Sequence, residues 1–227
     1  MNRDGNWSMN HAQVRRITGL SGVAVGVVST LAIPLYFMYS GPPPAWNVFT
    51  RDLVGLISCA FLIVVFAGFS HLIRSADAAY EWIASLVYGT GLLFVGVTLV
   101  AISLEAGVVF GAPDGTLDPT IDGPLAEANI LIHGSIKRLL TAVFLVPSAY
   151  AVLRTRMLPR WVGRAAYVIA IIDLLFVPSI YFGKDAAQFY SAIGWGNSAL
   201  VAAFFGYWIL AVGAILLRKP RTDPTTL

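Results

Sequence analysis

Charge is what this sequence has least of. Asp, Glu, Lys and Arg make up only 12% of its 227 residues, about half the share usual in a soluble domain. With 57% of residues hydrophobic, this shortage excludes water as the main solvent. Cysteine is nearly absent too: Cys59 stands alone inside an apolar run, which rules out an intramolecular disulfide and a cysteine-built metal cage.

The motifs of several common chemistries are also missing. There is no Walker loop, no D-x-D-x-D-G calcium loop, no C-x-x-C and no H-E-x-x-H. Asp114, Asp118 and Asp122 are spaced too widely for a calcium loop and read as a solvated acidic connection. A bis-histidine haem needs two axial ligands at one depth, whereas His71 and His133 are expected at opposite faces. Lys137 and Asp173 superficially offer a retinal lysine with its counter-ion, but a seventh helix is lacking. Gly19-Leu20-Ser21-Gly22 matches the nucleophile motif of intramembrane serine proteases, which requires a histidine base at the serine's depth. His11 lies outside the bilayer, His71 near the inner face and His133 near the outer, so no base is placed there with any supporting context. No catalytic residue, metal or cofactor is assigned. The +3 formal charge sits in short loops and not in a patch interleaved with aromatics, so nucleic acid is not an expected partner.

Six apolar runs remain, each long enough for the ~20 residues a membrane crossing needs. They span Ile17 to Tyr39, Leu53 to Ile73, Trp82 to Leu104, Asn129 to Val152, Trp161 to Phe182 and Ser191 to Leu217. None alternates with the period of a barrel strand. The expected fold is an all-α polytopic bundle: a segment 1–16, a six-helix transmembrane domain 17–217 and a tail 218–227. The first run lacks a cleavage site and reads as a retained helix.

Basic residues set the orientation. Arg3, Arg15, Arg16, Arg74, Arg154, Arg156, Arg160, Arg164, Arg218, Lys219 and Arg221 fall on one side, and only Arg51 and Lys184 on the other. Both termini are therefore expected in the cytoplasm of a multi-pass protein of the cell (inner) membrane. Arginine outnumbers lysine twelve to three, the usage of a GC-rich bacterium. Gly123-Pro124 reads as the start of the fourth helix. Pro34, Pro147 and Pro178 are expected to make local kinks. Gly22 and Gly26 form a G-x-x-x-G that permits close helix contact, within the chain in preference to between copies.

Charged groups at membrane depth are expensive, at least ~2.5 kcal/mol each on insertion scales. Lys137, Arg138 and Asp173 are the three expected there. Counting ~1.5 Å per residue, Asp173 and Arg138 differ in height by about one turn on neighbouring helices, so Asp173 is expected to pair with Arg138 or Lys137. One carboxylate cannot neutralise both cations, which leaves room for an anionic ligand, a second carboxylate such as Glu105, or a wet cavity. Asn129, His133, Lys137 and Thr141 recur every four residues and form one stripe. With Glu105, Asn197, Ser198 and Tyr181 they can line an outward-facing polar pocket among helices three to six.

Arg16-Ile17-Thr18-Gly19-Leu20 and the run from Leu153 to Gly163, with its Leu158-Pro159, resemble a family of uncharacterised bacterial six-span membrane proteins of actinobacterial type. The resemblance implies the architecture and transfers no functional residue. Two functional readings stand: a membrane protein holding an anionic lipid or other amphiphilic small molecule through Lys137, Arg138, His133, Asp173, Glu105 and Asn197, or an accessory scaffold whose buried charges only fix helix register.

Overall fold

The computed structural model describes residues 10–39, 41–112, 116–118, 122 and 125–218. Every regular element among them is helical. Six helices are long and apolar enough to cross a membrane: α1 (His11–Tyr36), α2 (Ala45–Ala76), α3 (Ala78–Gly111), α4 (Ala126–Thr155), α5 (Arg160–Phe182) and α6 (Gly196–Leu217). The protein is a multi-pass helical membrane bundle. Its apolar exterior agrees: Leu31, Trp82, Phe110, Leu175 and many other large side chains are exposed, which suits a lipid solvent and not water.

The first five helices start earlier than their apolar runs, because helix continues into the more polar residues that precede the hydrophobic stretch. α1 opens with a capping box in which the Asn10 side chain accepts from the Ala12 N–H and Gln13 accepts from the Asn10 N–H. α2 follows Pro44, and its first two turns, Ala45 to Asp52, were expected as loop. α6 starts five residues after the expected Ser191, because Ser191 to Trp195 form turns. Gly123-Pro124 lies outside the described residues.

Consecutive helices pack side by side and α6 returns against α1, so the bundle is a ring. We call the end carrying His11 and Leu217 the terminal end and the opposite one the distal end. Backbone closeness joins α1 to α6: a Cβ on Gly22 would stand 3.1 Å from the Gly213 Cα, and one on Gly213 would stand 2.7 Å from the Val23 N. The Gly22 and Gly26 face of the G-x-x-x-G motif is thus occupied by α6. At the terminal end Arg15 donates to the carbonyls of Leu216 and Arg218 at 3.0 and 3.3 Å, capping the last turn of α6 with a cation.

The terminal half of the ring is filled by aromatic side chains. Phe144 of α4 touches Phe66, Phe205 and Trp208 at centroid distances of 4.8, 5.8 and 6.1 Å. The indole N–H of Trp208 donates to the Val162 carbonyl at 3.0 Å, so the largest polar handle in this core is satisfied. Leu145, Val152, Val162, Ile209 and Val212 close the remaining space.

Helix distortions do not follow the prolines evenly. Pro147 lies inside a regular stretch of α4. Pro34 and Pro178 sit in 3-10 turns at the distal ends of α1 and α5. The strongest break is in α4, where Ile132–Ile136 form a π turn and Gly134 has φ −90° and ψ −110°. A second π turn, Gly196–Val201, opens α6.

Candidate functional site: a polar layer in the distal half

Two buried ion pairs organise the distal half. Arg51 stands ~9 Å along α2 from Ala45, and Glu105 stands ~9 Å before the end of antiparallel α3, which brings them to one height. The Arg51 Nη2 donates to the Glu105 carboxylate at 2.6 Å, while its guanidinium lies over the Tyr36 ring at 4.6 Å. Asp173 of α5 is fully buried, and the Arg138 Nη1 of α4 donates to it at 3.1 Å. Of the two cations expected to compete for Asp173, Arg138 takes it, and Asp173 faces the bundle interior.

Two of the expectations need correcting here. Arg51 does not belong to an external loop: it is 6% exposed inside α2, so the basic residues contrast eleven against one. The expected cation surplus is not found in the layer as a whole, which contains Arg51, Lys137 and Arg138 against Asp52, Glu105 and Asp173. Glu105 lies within electrostatic reach of Lys137 but is ion-paired to Arg51. The pairs leave one cation and one carboxylate over. Lys137 is half-buried, has no carboxylate within 4.0 Å among the described residues, and its ammonium lies 5.8 Å from the Phe94 ring centre. Asp52 is 7% exposed with Oδ2 unpartnered. Neither Arg51 nor Asp52 was a candidate from the sequence; a helix read forward from Pro44 would have placed both inside α2.

The α4 stripe survives the π turn for a geometric reason. Eight residues of α-helix overshoot two turns by about 80°, and one extra residue absorbed in a π turn removes about 100°. Asn129 and Lys137 therefore remain nearly in line. Asn129 and Thr141 are buried and His133 is half-buried. Neither amide atom of Asn129 has a hydrogen-bond partner, nor does the His133 Nε2.

The helix breaks of α4, α5 and α6 meet at one level. The Ser135 hydroxyl donates to the Val177 carbonyl at 2.7 Å, and the Asn197 amide donates to the Ser179 hydroxyl at 3.0 Å and the Ala192 carbonyl at 2.9 Å. Gly134 is required there: a Cβ would stand 2.7 Å from the Ala192 oxygen. These side chains replace helical hydrogen bonds lost in the irregular backbone, which at membrane depth must be satisfied by protein. Tyr181, expected in the pocket, is instead 84% exposed. The Ser198 hydroxyl donates to the Gly194 carbonyl at 3.0 Å.

Of the expected site residues, Arg138 and Asp173 come together, Glu105 joins Arg51, Asn197 ties α6 to α5, and His133 and Lys137 stay on the α4 stripe. A groove of about 550 Å³ runs between α3 and α4. It is lined by apolar residues and glycines, among them Leu92, Gly96, Val100, Ile132 and Ile136, and by none of these polar groups. No cluster of three or more His, Cys, Asp or Glu able to hold a metal occurs among the described residues. Comparison with protein-family models, with curated proteins and with solved structures finds no match to this chain, so the functional reading rests on the geometry of the polar layer.

Proposed function

We propose that this multi-pass membrane protein resides in the cell (inner) membrane of a bacterium with both termini cytoplasmic, and that its distal, outward polar layer binds an anionic or amphiphilic small molecule. Lys137 supplies the charge, and His133 and Asn129 supply directional hydrogen bonds. The observation that carries this reading is the contrast among the three cations: Arg51 and Arg138 each hold a carboxylate, while Lys137 has none within 4.0 Å among the described residues. An unneutralised ammonium at this depth favours an anion. Arg138–Asp173 and Arg51–Glu105 act as braces that hold the helices around it. Native mass spectrometry of the detergent-solubilised protein tests the reading: a co-purifying anionic lipid or metabolite is expected on the intact chain and lost in Lys137→Met. An adduct-free spectrum for both proteins contradicts it.

A scaffold reading is favoured by a different observation, the closure of both ion pairs at 2.6 and 3.1 Å. On that reading the charges fix helix register alone. It gains support if Lys137→Met leaves adducts and stability unchanged. Orientation is tested separately: reporter fusions after Arg74, Arg156 and the C-terminus should read cytoplasmic, and fusions near Thr116 and Asp185 external. An external C-terminus overturns it.

A further inference from the structure

Asp52 is the carboxylate that the layer leaves over, and its buried Oδ2 has no hydrogen-bond partner. Gly55, one turn further along α2, lies against α3: a Cβ there would stand 2.9 Å from the Ile102 Cδ1. That contact places Asp52 on the α3-facing side of α2, one turn nearer the distal end and towards Glu105, which is one turn beyond Ile102. The titratable groups facing Asp52 are Glu105 of α3, Arg51 of α2 and the Tyr36 hydroxyl of α1, which makes no hydrogen bond to it. Arg51 is committed to Glu105 at 2.6 Å and to the Tyr36 ring of α1. No Lys or Arg lies within 4.0 Å of Asp52 among the described residues, and its Oδ2 is buried without a hydrogen-bond donor. Asn47, fully buried one turn before Arg51, donates its amide N–H to the Leu35 carbonyl at 3.1 Å and leaves its Oδ1 without a donor.

Asp52, Glu105 and Arg51 sum to a single negative charge in a buried setting, and the layer's remaining cation, Lys137, reaches Glu105 but not Asp52. Left uncompensated, such a charge is expensive to bury, and so is each unpaired acceptor. Oxygen acceptors without donors are the ligands that hard cations take. One positive charge neutralises the group, whereas a divalent ion would overcompensate it.

We propose that Asp52 and Glu105, facing one another across α2 and α3, form a binding site for one monovalent metal cation, with Asp52 as its principal ligand and Arg51 orienting Glu105. Lys137 interacts with Glu105 but not with Asp52, so the Lys137→Met variant tells the cation site apart from the anion reading.

The test uses the full chain in detergent and its own tryptophan fluorescence. Thermal unfolding midpoints are measured in rising NaCl and in rising KCl, with N-methyl-D-glucamine chloride holding ionic strength and pH constant. Wild type and Lys137→Met are expected to show a saturable rise in midpoint with Na+ or K+, and Asp52→Asn to need at least tenfold more cation for half of that rise. Asp52→Glu, which keeps the charge and moves it by one methylene, should retain saturation with a shifted half-point, and serves if the asparagine variant does not fold. A wild-type midpoint indifferent to both cations overturns the proposal. So does an unchanged half-point in Asp52→Asn, and so does, in a second series at several pH values, a wild-type midpoint that follows pH with no response to either cation, which would make a proton the occupant.

Discussion

The terminal and distal halves of this bundle solve the same problem, holding six helices together in an apolar solvent, in opposite ways. The terminal half uses shape: Phe144 interlocks with Phe66, Phe205 and Trp208, and glycines bring α1 and α6 into backbone contact. Lipid tails are as apolar as these side chains, so what favours this packing is close fit and not escape from water. The distal half uses electrostatics and broken backbone. Among the described residues, the buried polar atoms without partners, on Asn47, Arg51, Asp52, Asn129, His133, Arg138, Asp173 and Asn197, all belong to this half or to the boundary between the two. The difference separates a rigid anchor from a region whose polar groups exceed what structure alone requires, and that excess is where function is sought.

The largest effect expected from testing this contrast is at the boundary. Asp173→Asn leaves the Arg138 cation uncompensated and should destabilise the detergent-solubilised protein by about 3–5 kcal/mol, the usual loss when one member of a buried pair is removed. Asp173→Asn combined with Arg138→Met should recover much of that loss. Thermal or denaturant unfolding of the single and double variants gives the coupling directly. Additive effects would mean that the pair contributes nothing to stability.

A smaller effect is expected in the aromatic core. Phe144→Ala leaves the surrounding aromatics without a partner, and a void of ~100 Å³ at ~24 cal/mol per Å³ amounts to about 2 kcal/mol. Because burial from lipid adds little transfer energy, the loss should stay near that cavity value. It should also leave any ligand adduct seen by mass spectrometry intact, since Phe144 belongs to the anchor. Loss of the adduct in a folded Phe144→Ala protein would erase the functional distinction between the halves.

A stability change of the same order as that of Phe144→Ala is expected at the helix breaks. Gly134→Ala pushes a methyl group to within 2.7 Å of the Ala192 carbonyl, an overpacking that should cost about 1–3 kcal/mol. Its sharper signature is local: hydrogen exchange should quicken at Asn197 and at the turns from Ser191 to Trp195, with the Phe144 region unchanged. Uniform quickening along the chain would show that the two halves unfold as one.

The number of helices, their approximate limits and the all-α class follow from the sequence by itself, because ~20 apolar residues in lipid leave the backbone no alternative to satisfying itself as helix. The Asp173 pair was legible as well, since helix rise and a short connection put a cation and a carboxylate at nearly one height. Tertiary structure alone decided which cation closed on Asp173, that Arg51 closes on Glu105, and that Asp52 and Lys137 are the charges left over. It alone also showed where α4 breaks: Pro147 looked like the weak point, yet the distortion sits at Gly134 against the Ala192 carbonyl. The physical reason is common to all four. Helix formation in a membrane is set by local composition, whereas the pairing of charges and the placing of a break depend on which side chains from distant segments arrive at the same depth.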